Sequence, residues 1–506
     1  MTTAAAGERA APIKNPNRFY IDGKWSVPSS NAQIEVISPA TERLYVRVAA
    51  AQEADISAAV AAARAAFDRG PWPRLSHRER AAYLLAIADE LNKRAEDFAA
   101  IWPNEMGILY SMAQLYAGGT GGMYQYYASL ADSYPFEEEH QTYSGAKQGL
   151  LVREPVGVVG AIIPWNGPVG LISFKIAPAL LAGCTVVIKS SPEAPGHGLL
   201  MAEIAEAVGL PPGVLNVVTA DRTASEALVR HPGIDKIAFT GSSATGKKIA
   251  SILGSRIARY TLELGGKSAA LILDDYDVET AARTIAGNAC DLTGQVCASL
   301  TRMVVAKRRH DQLLDALSAS FAKVVIGDPF DPATQMGPLA TRQQRERVEG
   351  YIAKARADGF KLATGGGRPR HLARGFYVEP TVFGNVDNRS TLAQEEVFGP
   401  VLAVIPADSD EHAIDIANDS PYGLNASVFT HDVERAYAVA RRLRSGTVGH
   451  NALRMDFSIA FGGFKQSGVG REGGREGLLP YLETKTVLLD GMPSHRLQQA
   501  AAAAKS

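Results

Sequence analysis

Between residues 51 and 100 the apolar positions recur at helical spacing, in Ala-rich runs at 58–66 and 81–91 divided by Pro71-Trp72-Pro73, and predict scaffold helices. The rhythm then changes. After the acidic Glu137-Glu138-Glu139, a short apolar stretch at Leu150-Leu151-Val152 leads through Arg153-Glu154 into a β-branched run at 156–163, which Pro164 closes and which reads as a buried strand. From there strands at 185–188, 214–218 and 236–239 alternate with helices at 198–208, 224–230 and 244–253. A second alternating block spans 268–448, with helices at 278–289, 310–324 and 342–358. Regular alternation implies parallel sheets covered on both faces, an α/β fold. No fixed-period repeat interrupts it, and only 498–506 reads as a tail.

Composition narrows the class. At 506 residues the chain exceeds the roughly 250–300 residues at which one hydrophobic core stops growing, so two or three domains are expected. With 46% apolar and 21% charged residues and a net charge of −1, it has the make-up of an ordinary globular protein rather than a disordered chain or a collagen. Neither nucleic acid nor a membrane is expected as a partner. Three cysteines, Cys184, Cys290 and Cys297, make no disulfide framework and point to a reducing compartment, by default the cytoplasm. The first 15 residues are Ala-rich and polar with no apolar core segment, so neither a secretory signal nor an anchor is expected there. Residues 155–174 carry no charge, but three prolines, four glycines and Asn166 exclude an ordinary spanning helix. No His or Cys pair has metal-ligand spacing, so no metal is assigned.

Candidate chemistry begins at Cys297, in Gly294-Gln295-Val296-Cys297-Ala298-Ser299, where small residues leave a thiol open to approach. A lone cysteine is more often a buried hydrophobe, a reading that fits Cys184 and Cys290 better. Thr261-Leu262-Glu263-Leu264-Gly265-Gly266-Lys267 sets a carboxylate between leucines, where its pKa rises toward that of a general base; a solvated strand-end Glu is the plainer alternative. Pro164-Trp165-Asn166-Gly167-Pro168 holds an amide on a turn after a buried strand, placed to donate to an oxyanion or simply to make the turn. Phe239-Thr240-Gly241-Ser242-Ser243-Ala244-Thr245-Gly246 joins a strand to a helix, where backbone N–H groups favour phosphate. Lys248 stands where a P-loop needs Ser or Thr, so nucleotide binding fits and phosphoryl transfer does not.

Together these segments resemble the aldehyde dehydrogenase superfamily, in order from about residue 19 to 490. Pro164-Trp165-Asn166, Phe239-Thr240-Gly241-Ser242, Glu263-Leu264-Gly265-Gly266-Lys267, Gly294-Gln295-Val296-Cys297, Glu396-Val397-Phe398-Gly399-Pro400 and Phe461-Gly462-Gly463-Phe464-Lys465 all look like its signatures. The resemblance implies NAD(P)-dependent oxidation of an aldehyde to a carboxylic acid. It also implies a Rossmann-like cofactor-binding domain (16–131 and 154–264), an α/β catalytic domain (265–465) and a small β oligomerisation element (132–153 and 478–491) that builds a homotetramer or dimer. Cys297 would attack the aldehyde, Asn166 and the Cys297 N–H would hold the oxyanion, and Glu263 would activate the water that hydrolyses the thioester. Cofactor charge, helix N-termini and Glu263 are the candidate activators of the thiol. Lys175 and Glu472 match proton-relay positions and also suit a structural ion pair.

The same resemblance lays the cofactor along Ile163 and Trp165, with Lys189 at the adenosine ribose, Gly241, Ser242 and Gly246 at the pyrophosphate, and Glu396 and Phe398 at the nicotinamide end. NAD-preferring members often carry Glu three residues after this lysine. Pro192 stands there with Glu193 next, so NAD is expected and NADP stays open. Gly167, Gly170, Leu171 and Phe174 would border the aldehyde tunnel, two of them without side chains. Leu453, Met455, Phe457 and Ile459 offer an apolar alternation in the loop 451–461, with Arg454 and Asp456 between them. The expected substrate is a bulky apolar aldehyde, aromatic, terpenoid or medium-chain aliphatic. A semialdehyde dehydrogenase, a cysteine hydrolase of esters and a non-catalytic protein on the same scaffold are the alternatives.

Overall fold

In the computed structural model, which describes residues 10–494, five parallel strands form the centre of the first sheet. Their spatial order is Arg259–Glu263, Lys236–Thr240, Val158–Ile162, Thr185–Ser190 and Leu215–Thr219. Antiparallel strands extend both edges to eight: Gly468–Val469 on one, the hairpin Phe19–Ile21 and Lys24–Ser26 on the other. Side chains alternate between two cores. Val159 and Ala161 pack with the helices Pro168–Ala182 and Gly196–Ala207, while Val158 and Ile162 pack with Glu53–Asp68 and Arg222–Arg230. Burial on both faces is why these strands read as unbroken β-branched runs.

The second sheet has seven strands, in the order Lys361–Thr364, Thr381–Gly384, Val401–Ala407, Leu300–Ala306, Ser268–Ile272, Asn425–Phe429 and Thr447–His450. Only Lys361–Thr364 runs antiparallel. Ala269 and Leu271 face one core, Ala270 and Ile272 the other. A separate antiparallel sheet sets Gln148–Pro155 between Leu482–Leu489 and Glu137–His140.

The expected scaffold helices are Glu53–Asp68 and His77–Lys93, the second started by a Ser76–Glu79 capping box, with Trp72–Arg74 as a short 3-10 turn between them. Two expectations shift. The strand expected at 156–163 begins at Val158, because Pro155 closes the preceding strand and Gly157 turns at φ 127 over the Asp235 side chain. The charge-free run then enters a helix at Pro168 that continues to Ala182, with proline at its first turn where no N–H is needed. Among the described residues no helix is long and apolar enough to cross a membrane. The expected tail at 498–506 and the first nine residues lie outside the described residues.

Candidate active site

Three parallel strands end together and deliver the expected groups. Val158–Ile162 runs into the Asn166 turn, Lys236–Thr240 into Gly241 and Ser242, and Arg259–Glu263 terminates on the carboxylate itself. Clefts outside the carboxyl ends of parallel strands are where α/β folds bind ligands. Cys297 comes from the other sheet, between the 3-10 turn Asp291–Gly294 and the strand Leu300–Ala306. The Asn166 Nδ2 donates to the Gln295 carbonyl at 3.0 Å, which ties the two loops and leaves its second N–H free to point elsewhere. Gly265 and Gly266 let the segments close: a Cβ on Gly265 would stand 2.5 Å from Glu396 Oε2, and one on Gly266 would overlap the Cys297 carbonyl oxygen.

Electrostatics set the resting state. Burial pushes the Cys297 thiol up to about 12, and the charges of Glu396 and Glu263 push the same way; the Ala298 and Cys297 N–H groups pull it only slightly back. One of the expected activators works in the other direction through its charge. The ionised Glu263 opposes the thiolate rather than favouring it. Glu263 is 2% exposed with neither carboxylate oxygen hydrogen-bonded. Burial, then the Glu472 charge, raises it well above the usual carboxylate range, with Lys175 and Arg471 opposing. Lys175 Nζ donates to Thr240 Oγ1 and to Glu472 Oε1, both at 2.6 Å, in a fully buried pair. Cys184 and Cys290 are buried, with burial raising them to about 11 and about 12.

Beside these groups lies a cleft of about 390 Å³ lined by Ile163, Trp165, Lys189, Gly241 and Ser242, five of the eight residues expected at a cofactor. Ser242 caps the helix Ser243–Gly254, its side chain accepting from the Thr245 N–H at 3.3 Å. Glu193, Asp221, Arg222, Glu226 and Lys248 are the other charged residues of the lining, and Glu193 and Asp221 both face the Lys189 ammonium, which burial lowers to about 8. Gly246 lies off the cleft: it sits one turn into the helix against Leu264, where a Cβ would come within 2.6 Å of Leu264 Cδ2. Glu396 accepts from the Gly266 N–H at 3.0 Å, and burial raises its carboxyl to about 7. The Phe398 ring meets Trp165 edge-on at 5.4 Å, so the Glu396–Phe398 loop adjoins the cleft without lining it.

The aldehyde dehydrogenase family model matches residues 25–487. The chain belongs to that family. Geranial dehydrogenase of Castellaniella defragrans is 41% identical to this aldehyde dehydrogenase over 474 residues, 94% of this chain and 98% of that one. A Mycobacterium tuberculosis aldehyde dehydrogenase complexed with NAD+ has a TM-score of 0.92 at 44% identity, over 95% of this chain and 100% of that one. A mutant Pseudomonas syringae aldehyde dehydrogenase complexed with NAD+ and octanal has a TM-score of 0.91 at 38% identity, over 96% and 99%.

On the expected substrate side of this dehydrogenase, a Cβ on Gly167 would meet only Leu171, at 3.6 Å, and one on Gly170 only Phe174, at 3.9 Å. Phe174 stacks on Phe457 with centroids 4.0 Å apart, and Leu453 and Phe457 pack with Cys297 around buried Phe461. The alternation expected in 451–461 fails. Met455 and Ile459 are exposed, as are Arg454 and Asp456. The Ser458 N–H donates to Asp456 Oδ1, so the segment turns rather than extends, and Leu453, Phe457 and Phe461 point inward at every fourth position.

Several side chains that hold these groups have no local signature. Trp102 Nε1 donates to the Asn166 carbonyl at 3.1 Å, and His197 Nδ1 accepts from the Val169 N–H at 3.1 Å, so the two clamp the turn from both sides. Gln295 is fully buried, bonded to Ala340 and Leu292. Gln344 and Arg347, on the helix Arg342–Ala357, donate to the Phe398 and Glu396 carbonyls at 2.7 Å each.

Proposed function

We propose that this enzyme oxidises bulky apolar aldehydes to carboxylic acids with NAD, through a thiohemiacetal and a thioester on Cys297. The observation that carries the reading is the apolar cluster of Leu453, Phe457 and Phe461 at Cys297, next to a helix turn whose Gly167 and Gly170 present no side chain. Relatives named for geranial and bound to octanal support it. Glu193 and Asp221 beside Lys189 support NAD over NADP, since a 2′-phosphate would add negative charge next to two carboxylates. The eight-stranded sheet is then the cofactor-holding unit, and the seven-stranded sheet carries the nucleophile.

The residues divide the work. Burial and the Glu396 and Glu263 charges keep the Cys297 thiol protonated in the resting site, so its proton is released to solvent as the sulfur bonds to the aldehyde carbon and the carbonyl oxygen takes up the electron pair. The oxyanion so formed is held by the free Asn166 N–H and the Cys297 N–H. Bound NAD supplies a cationic ring that opposes the Glu263 and Glu396 charges at the thiol, and accepts the hydride. Glu263, in its ionised form, then takes a proton from the water that attacks the thioester, and the Lys175–Glu472 pair behind it sets how readily it ionises.

Steady-state kcat/KM for geranial, octanal, acetaldehyde and succinate semialdehyde with NAD and NADP tests the reading. Geranial or octanal with NAD should lead; a lead for acetaldehyde or succinate semialdehyde sinks the substrate class. A homotetramer or dimer would cover the strand Leu482–Leu489, whose Thr484, Lys485 and Thr486 are exposed. Three unpaired thiols support a reducing, cytoplasmic setting.

A further inference from the structure

The helix Tyr110–Gly119 carries a phenol that the mechanism above does not use. Tyr116 donates its hydroxyl proton to Asp291 Oδ2 at 2.8 Å, and its ring stands 6.1 Å from that of Trp102, tilted by 48°. Trp102 in turn donates to the Asn166 carbonyl, so the phenol is one indole away from the oxyanion turn. Asp291 opens the turn Asp291–Gly294, which passes through left-handed Leu292 and Thr293 (φ 46 and 56) toward Cys297. The pair is therefore tied to the catalytic loop at one end and to the Asn166 turn at the other.

Room exists beside it. Gly119 lies one turn on from Tyr116, on the same side of the helix, and a Cβ there would meet nothing within 4 Å. On the neighbouring helix turn a Cβ on Gly167 or Gly170 would meet only Leu171 or Phe174, at ordinary contact distance. Tyr116 is 38% exposed, whereas Asp291 Oδ1 is buried without a partner, so the accessible member is the phenol and the carboxylate stands behind it.

The direction of the hydrogen bond fixes what this pair recognises. With its proton committed to Asp291, the Tyr116 oxygen has only lone pairs left to offer. It accepts from a donor and cannot donate to a carboxylate or carbonyl, and the carboxylate behind it disfavours an anion further. We propose that Tyr116, oriented by Asp291, selects among the bulky aldehydes of the preceding reading those that carry a neutral hydroxyl at the end remote from the carbonyl. This rests on that reading and adds a polar terminus to it.

The test compares 4-hydroxycinnamaldehyde, cinnamaldehyde, 4-carboxycinnamaldehyde and acetaldehyde in wild-type enzyme, Tyr116→Phe and Asp291→Asn, each checked for fold by its NAD affinity. Wild type should prefer the hydroxy over the parent compound by roughly 3- to 10-fold in kcat/KM, the scale of one net hydrogen bond. Tyr116→Phe should bring that ratio close to one. Asp291→Asn should raise the carboxy compound relative to the parent, because it removes the charge and frees the phenol proton. Equal turnover of hydroxy and parent compounds by wild type, with both well above acetaldehyde, overturns this proposal and leaves the apolar reading standing. So does a ratio that survives Tyr116→Phe. Acetaldehyde in the lead overturns both.

Discussion

Replacing Glu263 with Gln separates the two halves of the reaction. The change keeps the shape, and because neither carboxylate oxygen has a hydrogen-bond partner it breaks no contact. It removes one of the two charges that hold the Cys297 thiol up at about 12, so attack on the aldehyde should proceed at least as readily as in wild type. What is lost is the base for thioester hydrolysis, a step worth ~10²- to 10⁴-fold. Stopped-flow mixing of the variant with NAD and octanal should then show one equivalent of NADH per site at close to the wild-type rate, followed by a steady state slower by about that factor. If the first turnover and the steady state slow equally, Glu263 serves as the thiol's own base and the assignment of its role to hydrolysis is wrong.

Other groups give independent checks. Asn166→Ala should slow single-turnover hydride transfer by ~100-fold or more, the scale of one oxyanion donor, and an unchanged rate would reduce Asn166 to a turn residue. Because Glu263 works only when ionised and its pKa is raised, hydrolysis should speed up with rising pH. Glu472→Gln removes a charge that raises Glu263 and leaves Lys175 unopposed, so the rising limb should move to lower pH; a limb that stays put or moves to higher pH would remove Glu472 from this role. Gly167→Phe should impair geranial and octanal selectively while sparing acetaldehyde, measured as the ratio of kcat/KM values, and a uniform loss would place Gly167 outside the tunnel.

Local context made much of this readable. The strands of the parallel sheets declared themselves as β-branched runs because both faces are buried, and Cys297, Glu263 and Asn166 stand beside glycines and prolines that only close packing explains. The helix Pro168–Ala182 was hidden by the same logic: it is apolar nearly all round, so it shows no polar face to mark a helical period. Its one charge, Lys175, is satisfied by Glu472, 297 residues away, which no local pattern reveals. Trp102, Gln295 and Gln344 reach the Asn166 carbonyl, the Ala340 N–H and the Phe398 carbonyl, each far away in the sequence, so their sequence surroundings are ordinary. In the loop 451–461 the apolar residues alternate along the sequence and read as one set, but the turn at Asp456–Ser458 changes the period and sends Met455 and Ile459 to the surface.

Covalent chemistry at Cys297 is the claim on which the rest depends. Glu263→Gln mixed with NAD and octanal, quenched in acid after the first turnover and digested for mass spectrometry, should carry an octanoyl group on the Cys297 peptide in near-stoichiometric amount with the NADH formed. NADH produced with no acyl group on any peptide, or with the acyl group on Cys184 or Cys290, would contradict the account.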